Sequence, residues 1–216
     1  MNNEINIRYS NLAESSCCLS CGGALDKSDA APGHVCIDLG SGRGTDALRL
    51  AEIVGEKGFV YGLDLSDGMI NKARKTAVRL GVKNVEFIQT DLSTIPLDDK
   101  SVDIIISNCV LNHVIDKQQI WNEIYRVLKK GGTFTISDIF SSVQVPPEYA
   151  HDPEAVAEAV AECWAGSVTK EVYLDTLAKA GFTELTIIEE SEPYKKGKID
   201  VSSFTISGTR TRCCSA

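Results

Sequence analysis

No stretch of this 216-residue sequence approaches the roughly 20 consecutive apolar residues that a membrane helix needs. The opening residues, MNNEINIRYSNLAES, hold no apolar core, so no secretory leader is expected there. Basic residues are not in excess. The formal net charge is −8, which argues against a general binder of nucleic acid or anionic membrane, since both use basic surfaces. There is no internal repeat and no low-complexity run. Hydrophobic residues at 43% and charged residues at 24% are ordinary for a soluble protein, and the expected location is the cytoplasm.

What the chain does have is cysteine, eight in all. In a reducing compartment structural disulfides are disfavoured, so thiols in this number point to metal binding, catalysis or redox work. Cys17, Cys18 and Cys21 cluster early, Cys36, Cys109 and Cys163 stand alone, and Cys213 and Cys214 sit near the end. Cys18 and Cys21 form a C-x-x-C, which reads as a zinc half-site or a redox pair. Zinc would need two further ligands, and no second C-x-x-C or paired histidine is present. Cys36, inside HVCIDL, reads as buried filler.

From about residue 34, short β-rich runs alternate with helical patterns. The runs are HVCIDL, GFVYGLD, NVEFIQ, VDIIISN, GTFTISD, ELTIIEE and SSFTISG. Several are nearly continuous apolar runs, as expected of strands covered on both faces. GTDALRLAEIVG, SDGMINKARKTAVRLG and KQQIWNEIYRVLKKGG read as the helices between them. This order predicts an α/β fold, a seven-stranded, mostly parallel sheet with helices on both faces. SEPYKKGKID leaves no room for a crossover helix, so the last two strands should pair antiparallel at one edge. Residues 1–33 form a polar arm before a main domain at 34–216. Within it, 140–170 is an insertion, with a helix expected from Pro153. Both can fold over the carboxyl edge of the sheet, where open α/β folds bind ligands.

IDLGSGRGTDA (37–47) sets a glycine-rich turn between strand and helix, with Asp38, Gly40, Gly42 and Gly44 spaced D-x-G-x-G-x-G. Asp64 ends the second strand 20 residues after Gly44, where a carboxylate can accept ribose hydroxyl hydrogen bonds. Asp91 follows the third strand. The set resembles the class I S-adenosylmethionine-dependent methyltransferases, over about residues 34–208. That resemblance implies a Rossmann-like fold, S-adenosylmethionine as cofactor and S-adenosylhomocysteine as product. It places Asp38 near the methionine end, Gly40 and Gly42 close to the cofactor, Asp64 at the ribose, and Asp91 and Leu92 beside adenine, with Leu65 a further cofactor-binding residue. Asn108 is a further neighbour of the cofactor.

The loop after the fourth strand often carries N/D-P-P-Y in enzymes that methylate planar amines. Here it reads SNCVLN. CLSCGGALDKSDAAPGH, ISNCVLNHVIDKQQIW and AECWAGSVTKEVYLDTLAKAGF together resemble the arsenite methyltransferases. Cys21 lies 17 residues before Asp38, as that family's early cysteine does. The resemblance implies three ligands to As(III), presented free or as a thiol complex, from Cys21, Cys109 and Cys163. It also implies a thiol reductant such as glutathione or thioredoxin, with Cys17 or Cys18 as a redox partner of Cys21. Soft thiolates suit trivalent arsenic. Asn112 and His113 stand where the family more often has N-L, and His113 reads as a surface residue at a helix start. Two other readings stay open: a quinone- or sterol-type C-methyltransferase, and a thiol-based metalloid-binding protein without catalysis.

Overall fold

The computed structural model describes residues 2–14, 22–146 and 164–211. Its sheet runs β3-β2-β1-β4-β5-β8-β6. The strands are β1 (Val35–Leu39), β2 (Phe59–Asp64), β3 (Val85–Gln89), β4 (Val102–Asn108), β5 (Leu128–Ser141), β6 (Glu184–Glu190), β7 (Tyr194–Lys196) and β8 (Ile199–Thr209). The first five pair in parallel. β8 inserts between β5 and β6, antiparallel to both. The seven expected strands are joined by β7, a three-residue strand in the final loop that pairs with β8. This is the class I methyltransferase fold. Among the described residues, no helix is long and apolar enough to cross a membrane.

The helices are α1 (Asn2–Leu12), α2 (Thr45–Val54), α3 (Asp67–Leu80), α4 (Lys117–Val127) and α5 (Lys170–Ala180). Side chains alternate across each strand, and both faces of the sheet are covered. In the run Ile104–Ile106 the outer two side chains join a core under α2 and α3, with Leu50, Val54 and Phe87. Ile105 points the other way, into a core under α4 and α5 with Trp121, Phe134 and Phe182. Fully burying side chains of this kind contributes about 1.5–3 kcal/mol each. Cys36 belongs to the first core and is completely buried. Burial pushes its thiol up to about 12, so it stays protonated. The filler reading of Cys36 holds.

Helix α3 is bounded as its flanking serine and glycine imply. Ser66 Oγ accepts from Met69 N at 3.2 Å at the start of α3, and Gly81 ends that helix in left-handed backbone. Two elements differ from expectation. The α4 pattern reaches Gly132 in sequence, but the helix ends at Val127 and Leu128 already pairs with Val102. Arg210 draws the chain straight there, donating from Nη1 to the carbonyls of Arg126 and Leu128. Residues 2–12, read as part of a polar arm, form α1. Its Ser10 and Asn6 dock onto the start of α3, so tertiary contact makes a helix that sequence periodicity does not announce. The helix expected from Pro153 lies outside the described residues.

Candidate functional site

The carboxyl ends of β1, β2 and β4 end side by side. Asp38 pairs with Gly62 on one side and Ile106 on the other, and Asn108 pairs with Ser137 of β5. A cleft of about 640 Å³ opens above this edge. Asp38, Gly40, Gly42, Asp64, Leu65, Asp91, Leu92, Asn108 and Cys109 all line it. The fold therefore gathers into one cavity residues that the sequence spreads over 72 positions, from 38 to 109.

The turn after β1 is built for close approach. Gly40 has φ +71, and a Cβ there would sit 2.0 Å from Val110 Cγ2. Only glycine fits that backbone and that space. Gly40 N and Ser41 N both donate to Leu63 O, at 2.7 and 2.9 Å, which locks the turn onto β2. Asp64 accepts from Gly42 N through Oδ2 and from Ser66 N through Oδ1, both at 2.8 Å. Two backbone donors leave about two lone-pair positions on the carboxylate for ligand hydroxyls.

Three acids crowd this end. Asp38 is 3% exposed, and burial first, then Asp46 and Asp64, push its carboxyl well above the ordinary range. Burial also raises Asp64, while its backbone donors pull the other way. A cationic group placed among them would relieve this crowding and favour the ionised carboxylates. Asn108 bridges it to the chain's start. Its Nδ2 donates to Asp46 Oδ2 at 3.0 Å, and its Oδ1 accepts from Ala24 N at 3.2 Å.

Cys109 follows at once. Its backbone is left-handed, φ 56. A non-glycine residue in that region costs about 1 kcal/mol or more, and such strain collects at functional sites. Its N–H donates to Ser137 O at 2.8 Å, and the residue is half-buried at the cleft. A turn of 3-10 helix, Leu111–His113, comes next. Asn112 is buried against Asp138 of β5.

His113 differs from the surface residue expected. It lines the cleft, and its Nε2 lies 3.2 Å from the Tyr9 hydroxyl of α1. Burial, with Lys117, Arg8 and Lys196 nearby, holds its imidazole down to about 4, so it is neutral at pH 7. Tyr9 and Ile5 also line the cleft. Sequence reasoning missed them because α1 carries no apolar stripe.

Of the three cysteines expected as ligands, Cys109 is in the cleft. Cys21, Cys163, Cys17 and Cys18 lie outside the described residues, as do Cys213 and Cys214. Their described neighbours are informative. Gly22, which lines the cleft, is pressed onto Asn108; a Cβ there would be 2.2 Å from Asn108 Oδ1. Trp164 is buried with Ile139, Ile199 and Val201. Gly166 meets the Cys109 turn, where an added Cβ would lie 1.8 Å from Asn112 O.

A family model for a methyltransferase domain matches residues 30–181. The arsenite methyltransferase of Halobacterium salinarum is 36% identical over 174 residues, 81% of this chain and 44% of that protein. The human arsenite methyltransferase is 41% identical over 121 residues, 52% of this chain and 32% of that protein. The chain thus spans less than half the length of these curated relatives. The crystal structure of an arsenic(III) S-adenosylmethionine methyltransferase from Chlamydomonas reinhardtii superposes with a TM-score of 0.77 at 27% identity. That match covers 95% of this chain and 74% of the other.

Proposed function

The chain belongs to the methyltransferase-domain family, and from that premise we propose that it methylates trivalent arsenic held by the thiolates of Cys21, Cys109 and Cys163. The observation that carries this reading is the meeting of three chain segments at one turn. Gly22, the residue after Cys21, packs on Asn108, the residue before Cys109. Gly166, three residues after Cys163, packs on Asn112, three residues after Cys109. The similarity to arsenite methyltransferases supports the choice of substrate.

The cleft fits S-adenosylmethionine. Val110 packs on Gly40, while the position of a Gly42 Cβ is open space and leaves room for a close ligand. Asp64 keeps acceptor capacity for ribose hydroxyls, with Leu65 beside it. Asp91 and Leu92 flank the adenine end. Asp38 and Asp46 face the cationic methionine end, and Asn108 orients Asp46. When bound, S-adenosylmethionine supplies an electrophilic methyl group.

Three thiolates hold As(III) in a pyramid and leave its lone pair free. The lone pair can then take the methyl carbon in line, with no proton to remove and no general base. The protein's task is alignment, with reacting atoms about 3–3.5 Å apart. Ordinary thiols have a pKa near about 8.5, so arsenic binding releases protons. Arsenic, as substrate, arrives free or as a thiol complex. Transfer oxidises it formally by two electrons, and a thiol reductant such as glutathione or thioredoxin restores the trivalent state. Residues 1–33 serve as the thiol-bearing arm, 34–216 as the transferase domain and 140–170 as the substrate-side insertion. Cys17 or Cys18 pairs with Cys21 between turnovers.

The test is Cys109→Ser and Cys163→Ser, each assayed with arsenite and reductant. Each should lose at least about a hundredfold in methylation rate, the scale set by misplacing a reactant. Affinity for S-adenosylmethionine should stay within about twofold. Full arsenite methylation by either variant would falsify the three-thiolate site.

A further inference from the structure

The turn that presents Cys109 is fixed twice from the neighbouring strand β5. The first tie is Cys109 N–H to Ser137 O, at 2.8 Å. The second comes from the next residue, Asp138, which is 3% exposed. Its Oδ1 accepts from Asn112 Nδ2 at 2.8 Å and from Ile139 N at 2.9 Å. Its Oδ2 accepts from Asn112 N at 3.3 Å. Asn112 Nδ2 also donates to Ile139 O at 3.0 Å. Two acceptors at one nitrogen settle which way the amide points. Asn112 Oδ1 is buried with no hydrogen-bond partner among the described residues. The contact with Asp138 is thus kept although it leaves a buried oxygen unsatisfied, which is costly. Arsenic ligation does not itself require the hydrogen bonds between Asn112 and Asp138.

We propose that Asp138, acting through Asn112, is a positioning residue that sets the direction of the Cys109 thiol at the carboxyl edge of the sheet. The substrate named in the assay rests on the arsenic reading; the geometry does not. A carboxylate suits the place because all three groups facing it, Asn112 Nδ2, Asn112 N and Ile139 N, are donors. A protonated carboxyl would turn its own O–H towards one of them and lose that bond. The charged and titratable groups around Asp138 are Lys117 at the start of α4, Lys196 on β7 and the Tyr173 phenol of α5. Burial raises the carboxyl to about 6 against the pull of the two lysines and the backbone donors. Acid should therefore release the turn at about that pH. Asp138→Asn should imitate the released state at every pH, because an amide NH₂ must also face a donor.

The experiment measures kcat at saturating arsenite and S-adenosylmethionine from pH 5 to 8. Arsenic occupies the thiols there, so their own titration is out of the profile. Wild-type kcat should step down through about pH 6. Asp138→Asn should lie about tenfold or more below wild type at pH 7.5 and lack the step. Its KM for S-adenosylmethionine should stay within about twofold. Asn112→Ala, which spares the Asp138–Ile139 bond, should show the same fall and decides the matter if Asp138→Asn does not fold. Wild-type kcat with an unchanged step in Asp138→Asn overturns the proposal. So does unchanged kcat in Asn112→Ala, or a fall in kcat matched by an equal rise in the cofactor's KM. Wild-type protein that forms no methylated arsenic contradicts the arsenic reading instead. The alkylation rate of Cys109, followed by peptide mass spectrometry, then still decides. It should differ at least about threefold between wild type and Asp138→Asn at pH 7.5, and equal rates overturn the proposal.

Discussion

Two titratable groups beside the cleft, half-buried His113 and buried Asp138, pull the pH dependence of stability in opposite directions. Native His113 titrates at about 4, against about 6.5 in an unfolded chain. It binds fewer protons when folded, so its contribution is full above about 6.5 and is lost as pH falls towards 4. Native Asp138 titrates at about 6, against about 3.9 unfolded. It binds more protons when folded, so its contribution falls as pH rises from about 4 to 6. Over one window the two nearly cancel, and a single substitution unmasks the other. His113→Leu should gain on wild type by up to about 3 kcal/mol between pH 6.5 and 4. Urea unfolding at several pH values checks this, and a pH-independent difference would contradict the desolvated, neutral imidazole. Neither behaviour is legible in the sequence. His113 stands four residues past Cys109, where a surface position is the ordinary expectation. Its partner Tyr9 is 104 residues away. By contrast the meeting of Asp38, Gly40 and Asp64 at one cleft could be read, because a glycine-rich turn between strand and helix marks the carboxyl edge of an open α/β sheet.

At the scale of elements, the strands were the most legible part, since apolar runs rich in β-branched residues and bounded by turn residues suit little besides a buried strand. The end of α4 was not, because Arg210 near the far end of the chain helps decide it. Nor was α1. That helix is held by Ser10 Oγ, which lies 2.9 Å from Ser66 Oγ, 2.7 Å from Asp67 Oδ1 and 3.1 Å from Gly68 N. Glu14 adds an ion pair with Lys72, and Arg43 reaches Leu12 O. α1 thus sits on the N-terminus of α3 and places Tyr9 over the cleft. Ser10→Ala removes the centre of this contact, and a hydrogen bond to a charged group contributes roughly 1.5–3 kcal/mol. Amide exchange in α1 should quicken by about tenfold, with exchange in β1 and β4 unchanged. Unaltered exchange in α1 would show that packing, rather than this hydroxyl, holds the helix.

Across the whole molecule, the sheet brings Asp38, Asp64 and Cys109 to one edge. The flanks of Cys21 and Cys163 arrive at the same turn from opposite ends of the chain. Sequence could propose the cysteine set, because its three contexts resemble one family. It could not supply the contacts that support it, since Gly22 on Asn108 and Gly166 on Asn112 are pairings between distant segments. The most direct test of the account is product identity. The protein is incubated with arsenite, glutathione and S-adenosylmethionine labelled in its methyl group, and the arsenic species are separated and counted. Label in methylated arsenic, dependent on both arsenite and reductant, is the predicted result. Arsenic bound to the protein with no label transferred would contradict it and leave a metalloid-binding protein on a methyltransferase fold.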